Sequence, residues 1–495
     1  MKRRAKLLLF LLLLALPASL SAAPALHVGP YLQSLDRDAV TVVWETTEAV
    51  AGEVEATAAG EAPRRAADPE AATFHELRLT GLAPGTRYAY RVRWPGYASD
   101  AYSFRTAPPA GTRRFRLAVY GDSRTGVEAH ADIAAHILAD QPDLVLHTGD
   151  LVGDGTKLEQ WKPQLFDPAA ALMRSVCLFP VLGNHERNSP HYYRYFSLPG
   201  NEAWYAFDHA NARFLALDAQ QPCEPGSDQY EWLLKELQRP RPTWTILFLH
   251  APPFSVHPTR AVSRLRWALQ PLFQQYGVDM TFAGHDHHYA RCHPVGPAFG
   301  PGKPVRHFIT GGGGASLYAI ADKPWSAVAN RVYNYMLLDF DGDRVSAVAK
   351  DREDKVIDSF TIDRREPAPV EDRCAWEVLL WEKALNDAFR SQAAELVKPE
   401  TTRVDATLRL PAPPFGSVRG ELAWNTGPEA AWEFEAPTAG FAAPAGGELL
   451  VPLKGRCPEG KALPLPGATL RVSGGVPAWK FRNTWVVLQP FAGKK

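Results

Sequence analysis

The chain has 495 residues, 46% of them hydrophobic and 22% charged, and its 54 basic residues balance 54 acidic ones for a formal net charge of +0. That length exceeds one ordinary domain and that composition is globular, which excludes a disordered chain and makes three domains the expected count. So even a balance gives no global attraction to a nucleic acid backbone, and no nucleic acid partner is expected.

Lys2, Arg3, Arg4 and Lys6 open the chain, the short apolar run Leu7–Leu16 follows, and Pro17 leads into small residues ending at Ala23. This order predicts a signal peptide over residues 1–23 and a periplasmic or secreted protein. The run is short for a membrane span, and no later stretch is long and apolar enough, so no membrane association is expected after cleavage. Losing its four basic residues leaves the mature chain at −4.

Residues 24–110 read as a β-sandwich. Ala39–Trp44, Glu76–Leu79 and Arg87–Val92 alternate apolar and polar residues between Gly/Pro turns. The string Leu79-Thr80-Gly81-Leu82-Ala83-Pro84-Gly85-Thr86-Arg87-Tyr88 resembles the fibronectin type III turn, with Tyr88 as its corner tyrosine. A scaffold role is expected there, with a homodimer as the possible assembly.

From residue 113 to 363 apolar runs alternate with helical patterns. Four runs, Leu117–Tyr120, Leu144–His147, Cys177–Leu182 and Met280–Ala283, lead into a Gly that is followed directly by Asp122, Asp150, Asn184 and His285; a fifth, Thr245–Leu249, leads into His250. Helices are expected over Val127–Gln141, Gln229–Gln238 and Ala261–Tyr276. Strand and helix in alternation imply a largely parallel sheet, where ligands collect beyond the carboxyl ends of the strands. A lone Gly-Asp is usually a turn and a lone His a satisfied core residue; recurrence at five strand ends points instead to one crevice of carboxylates, an amide oxygen and imidazoles, a set suited to two adjacent cations. The glycines are expected to supply positive φ or close approach. Gly311–Gly314 lack the Lys and Ser/Thr of a phosphate-binding loop and read as a tight turn beside the site.

The series GD, GD, GNHE, H, GHDH, here Asp122, Asp150, Asn184-His185, His250 and His285/His287, resembles the calcineurin-like metallophosphoesterase superfamily, in particular its purple acid phosphatase-like branch. Gly29-Pro30-Tyr31-Leu32-Gln33 likewise resembles the opening of that branch's N-terminal domain. The resemblance implies an αββα sandwich and two divalent or trivalent metal ions, Fe, Zn or Mn. Asp150 would bridge them, with Asp122 and His287 on the first metal and Asn184, His250 and His285 on the second. His185 would contact the phosphate or protonate the leaving group. The implied reaction is hydrolysis of a small phosphate monoester by metal-bound hydroxide. A phosphodiester substrate, such as a cyclic nucleotide or glycerophosphodiester, is one alternative; a non-catalytic extracellular binding protein with a degenerate metal site is another.

Two departures from the family pattern follow from the residues. Gly153 stands where the purple enzymes carry an iron-binding tyrosine, so a tyrosinate-bound ferric centre is not expected. Arg124 stands where other branches carry a histidine ligand, and a guanidinium stays protonated and does not ligate. Arg124 is read as a phosphate contact, the alternative being a surface arginine in the loop before the helix. His257 and His288 are further candidate substrate contacts; His191 and Tyr192-Tyr193-Arg194-Tyr195 are read as packing or surface.

Residues 372–495 predict a helix over Trp376–Val397 and a second β-sandwich, with strands at Arg403–Leu410, Val418–Trp424, Glu448–Leu453 and Thr469–Val472. Trp424, Trp432, Trp479 and Trp485 suggest core packing before carbohydrate binding. Of five cysteines, Cys177 is the expected free thiol, and Cys223–Cys292 and Cys374–Cys457 are the expected bridges in an oxidising compartment.

Overall fold

Alternating strands at the N-terminus build two sheets: Leu26–Gln33, Ala39–Val50 and Ala72–Thr80 in one, and Glu53–Thr57, Arg64–Ala67, Arg87–Trp94, Tyr97–Ala98 and Tyr102–Arg105 in the other. In the computed structural model, which describes residues 24–299, 302–366, 368–398, 401–425, 432–457, 465–473 and 485–488, their inner faces close over Trp44, Tyr88, Tyr90 and Val92. The Tyr88 hydroxyl accepts a hydrogen bond from the Ala83 N–H at 2.8 Å and donates one to Glu61 at 2.9 Å, pinning the turn before its strand. The expected signal peptide lies outside the described residues.

The central region has the two sheets of the αββα sandwich that the resemblance implies, and departs from a largely parallel arrangement in the pairing of its strands. It holds two mixed sheets. One runs Leu178–Pro180, Leu144–His147, Arg114–Tyr120, Asn334–Asp341, Arg344–Asp351, Val356–Asp363; its first three strands are parallel and the rest antiparallel. The other runs Tyr205–His209, Ala212–Leu217, Trp244–Leu249, Met280–Ala283, Arg306–Thr310, Tyr289–Cys292, Ser326–Asn330, with four central parallel strands. The returning antiparallel strands are what local periodicity does not reveal. Apolar side chains of both sheets meet in one core, among them Leu117, Val145, Phe214, Phe248 and Phe282. The helices Asp228–Gln238 and Arg264–Tyr276 cover the second sheet through Leu233, Leu269 and Phe273. The latter begins at residue 264 rather than 261 because the Ser263 side chain accepts the Leu265 N–H and caps it.

Register sets the strand ends level. His147 pairs with Tyr120 and Pro180, and Leu249 pairs with Leu217 and Ala283. The loops leaving these ends therefore emerge along one edge.

The N-terminal sandwich docks on the helices beneath that edge. Tyr31 donates to the Tyr195 carbonyl at 2.7 Å, Tyr90 to that of Arg174 at 2.8 Å, and Arg194 pairs with Glu45. The Tyr192–Tyr195 cluster is thus packing: Tyr192 and Tyr195 are buried.

Helix Trp376–Leu396 leads into the C-terminal sandwich, whose sheets are Arg403–Pro411, Glu448–Arg456, Glu433–Phe434 and Thr438–Ala443, Val418–Trp424, Ala468–Ser473, Trp485–Leu488. Trp424 and Trp432 are buried in its core, and Trp424 stacks on Phe434; Trp479 and the side chain of Trp485 lie outside the described residues. This core reaches into the central region through Phe254, Cys292 and Val295. Arg266, nearly buried, donates to the Pro253 carbonyl at 3.0 Å and lies 4.3 Å from the Phe254 ring and 4.2 Å from that of Trp325.

Neither expected disulfide forms: all five cysteines are buried thiols. Cys223 sits under the helices of the second sheet, whereas Cys292 belongs to the core shared with the C-terminal sandwich. Separate cores keep Cys223 from Cys292; Cys374 and Cys457 share the C-terminal core, and for that pair separation gives no reason.

Candidate metal centre

Each candidate donor leaves the carboxyl end of a strand. Asp122 follows Arg114–Tyr120, Asp150 follows Leu144–His147, Asn184 and His185 follow Leu178–Pro180, His250 follows Trp244–Leu249, and His285 and His287 follow Met280–Ala283. The two sheets thus contribute three and two loops to one crevice.

The backbone turns hardest at the donors themselves. Asp122 and Asp150 have φ of 56° and His285 of 66°, the left-handed region. Such residues hold about 1–3 kcal/mol of strain each and persist only where the surroundings fix them. The glycines of the third and fifth motifs serve close approach, one of the two roles expected of them. A Cβ at Gly183 would strike Asp150 Oδ1, and one at Gly284 would strike Asp122 Oδ2. Each motif leaves room for a carboxylate delivered by another. Gly311–Gly314 do the same from the side, with Gly313 N–H donating to the Gly121 carbonyl and Ala315 N–H to that of Asp122, both at 2.8 Å.

The side chains converge in two halves. Around His250, Nε2 lies 3.1 Å from Asn184 Oδ1, 3.1 Å from His285 Nδ1 and 3.4 Å from Asp150 Oδ1. In the other half, ligand atoms of Asp122, Asp150 and His287 lie within 4.8 Å of one another, with His287 Nε2 3.4 Å from Asp122 Oδ1. Backbone carbonyls fix two of the imidazoles: His250 Nδ1–H donates to Thr148 at 2.8 Å and His287 Nδ1–H to Ser316 at 2.7 Å. Both Nε2 lone pairs therefore face the crevice, as cation ligands require. Carboxylate, amide and imidazole donors with this aim fit two cations.

Glu186 ties the loops together. Its buried carboxylate accepts the N–H groups of Gly183, Asp150 at 2.9 Å and Leu151 at 2.7 Å, so the second and third motifs share one anchor. Burial, with Asp150 nearby, pushes Glu186 up to about 7. Burial also raises Asp122 despite His287 and His250. Asp150 is buried too, yet His250, the His185 N–H and Arg124 hold it below the usual carboxylate range. His285 is driven down to about 2 by burial, then by the neighbouring His250 and Arg260.

Arg124 Nε lies 3.4 Å from Asp150 Oδ2, with the side chain 15% exposed. The position at Gly153 is crowded: a Cβ there would lie 3.1 Å from Gln160 Oε1, 3.3 Å from Thr125 Cγ2 and 3.4 Å from Gln164 Oε1. The Gly153 carbonyl instead accepts His185 Nδ1–H at 2.5 Å, which leaves His185 Nε2 on the open side, 3.8 Å from Asp150 Oδ2. His257 stands on the rim with its ring edge to Tyr318, which stacks on His287. His288 is fully buried, and burial lowers it to about 4.

Residues 115–289 match the calcineurin-like phosphoesterase family and residues 26–106 the N-terminal domain of purple acid phosphatases. The chain thus carries a calcineurin-like phosphoesterase domain behind a purple acid phosphatase N-terminal domain, and its relatives are purple acid phosphatases, some of them named inactive. This phosphoesterase is a hydrolase of a family whose members use a dinuclear metal centre. It is 28% identical over 342 residues to acid phosphatase type 7 of Homo sapiens, covering 59% of this chain and 77% of that one. It is also 26% identical over 354 residues to probable inactive purple acid phosphatase 1 of Arabidopsis thaliana, covering 59% and 58%. The fold resembles the purple acid phosphatase PPD1 from yellow lupin seeds, with a TM-score of 0.62 at 22% identity over 71% of this chain and 77% of that one.

Two residues of the phosphoesterase centre carry no sequence signal of their role. Glu186 sits inside the third motif, where its neighbours draw the chemistry. Arg260, from the loop after His250, pairs with buried Asp286 at 2.6 Å and reaches His285 Nε2 at 2.5 Å. Only the fold brings it there; the acidic residue between His285 and His287 is the one hint that a cation is needed.

Proposed function

We propose that this chain is a periplasmic or secreted phosphatase that hydrolyses small phosphate monoesters at a centre of two metal ions, Zn, Mn or Fe. The observation that carries the reading is the convergence of Asp122, Asp150, Asn184, His250, His285 and His287 from five strand ends, with Arg124 and His185 on the open side. Asp150 would bridge the two; Asp122 and His287 would complete one position, and Asn184, His250 and His285 the other. When bound, the two cations supply an activated water and neutralise charge on the phosphate oxygens. Arg124, whose planar fork matches two phosphate oxygens, holds the substrate in line. His185, with Nδ1 fixed on the Gly153 carbonyl, presents Nε2 to the leaving oxygen and donates a proton from it. Among the described residues no helix is long and apolar enough to cross a membrane. The name acid phosphatase borne by a relative agrees with the monoester reading.

Protein stripped with a chelator and reloaded with Zn, Mn or Fe should hold two metals per chain and release nitrophenol from p-nitrophenyl phosphate faster than from bis(p-nitrophenyl) phosphate. Faster diester hydrolysis would move the substrate to phosphodiesters, and no metal uptake with no hydrolysis would leave a non-catalytic protein. His185→Ala should lose more rate on alkyl than on nitrophenyl esters; equal loss on both would remove its acid role.

A further inference from the structure

The two halves of the centre share Asp150, but not equally. Its Oδ1 faces His250 Nε2 at 3.4 Å and accepts the His185 N–H at 2.9 Å. Its Oδ2 faces Arg124 Nε at 3.4 Å. Among the His, Cys, Asp and Glu side chains of the described residues, Asp150 is the third donor grouped with Asp122 and His287. With Oδ1 turned to His250, the oxygen left for a cation in this half is Oδ2, beside which Arg124 stands. The guanidinium stays charged and offers no lone pair, so it can neither ligate nor step aside by losing a proton. Nor does the phenol-bearing position compensate, since it carries Gly153, crowded by Gln160, Gln164 and Thr125. Arg124 Nε is buried and donates no hydrogen bond within the described residues. The contact with Asp150 is thus a charge contact at 3.4 Å, held in place by the backbone, where Arg124 N–H donates to the Asp150 carbonyl at 3.3 Å.

We infer that Arg124 sets the order of metal loading: the Asn184/His250/His285 position fills first and tightly, and the Asp122/His287 position fills weakly, with Arg124 displaced from Asp150. This rests on the metal-dependent reading above. Displacement turns the guanidinium toward the open side, where an anion receives it. Inorganic phosphate therefore strengthens the weak position by holding Arg124 off the carboxylate, and substrate and first metal assist each other. Two like charges competing for one carboxylate in a partly buried site separate the affinities by about tenfold or more.

The test is calorimetric titration of chelator-stripped full-length protein with zinc, with bound metal counted by elemental analysis. Wild type should take up zinc in two steps at least about tenfold apart, and His287→Ala should lose the weaker step, which assigns it. Arg124→Met should bring the weaker step toward the stronger while the stronger moves less than about twofold, and added phosphate should tighten the weaker step in wild type but not in this variant. Arg124→Gln repeats the measurement should the first variant fold poorly, as checked by thermal unfolding. Two equal steps in wild type, or a weak step unmoved by either substitution, overturns the inference. No zinc uptake at all overturns the metal-dependent reading itself.

Discussion

The N-terminal sandwich meets the phosphoesterase core through hydroxyls and an ion pair, Tyr31 on Tyr195, Tyr90 on Arg174 and Glu45 on Arg194, and its apolar core runs on into that of the two central sheets. The C-terminal sandwich shares its apolar core with Phe254 and Val295 and so continues into the loop after His250. There Trp325 donates to the Ser255 carbonyl at 3.1 Å, and the Ser255 hydroxyl donates to Asp286, the partner of Arg260. One sandwich braces the helices under the crevice and the other braces a wall of the crevice itself. Two domains of the same architecture can therefore differ in whether their packing is felt by the chemistry.

The widest test of that contrast is Phe254→Ala. Losing this buried ring should lower stability by about 3–5 kcal/mol and loosen the loop that carries Arg260. Denaturant unfolding together with kcat/KM on p-nitrophenyl phosphate should show both falling, the latter by about tenfold. Unchanged kcat/KM beside lost stability would make the C-terminal sandwich a passive brace like its counterpart.

A smaller effect is expected from acid. His307 contacts the Phe254 ring, and burial, with Arg266 nearby, lowers it to about 3. The unfolded chain takes up this proton near pH 6.5 and the folded one only near 3, so stability is full above that window and falls as pH drops through it, by at most about 1.4 kcal/mol per unit. His307→Gln should flatten the fall in denaturation midpoints between pH 6 and 4. An identical slope in the variant would place the acid response elsewhere.

Glu45→Gln should do least. A partly exposed ion pair contributes about 1 kcal/mol or less, and its loss should move the unfolding midpoint slightly while kcat/KM stays within about twofold. A larger drop in rate would mean that the helix Pro190–Tyr195 transmits to the third motif.

Much of the centre was legible because its donors obey a local rule: Asp122, Asp150, Asn184, His250 and His285 each follow an apolar run directly or after a glycine. What binds those loops to one another was not. Glu186 anchors backbone N–H groups some 35 residues away, and Arg260 meets His285 only after helix and strand have folded between them. The antiparallel half of the first sheet hid for the same reason. Strands Asn334–Asp341 and Arg344–Asp351 return antiparallel beside the first parallel strand, a pairing set by long-range register and absent from any local period.

The left-handed turns at Asp122, Asp150 and His285 bear on which letters these positions accept. Aspartate, asparagine and histidine are the non-glycine residues most often found in that region. A glutamate would bring the same carboxylate to the crevice and a cysteine a stronger zinc ligand, but neither shares that tolerance. The backbone thus screens candidates before chemistry does, and the alphabet of this centre is set by shape as well as by the metal.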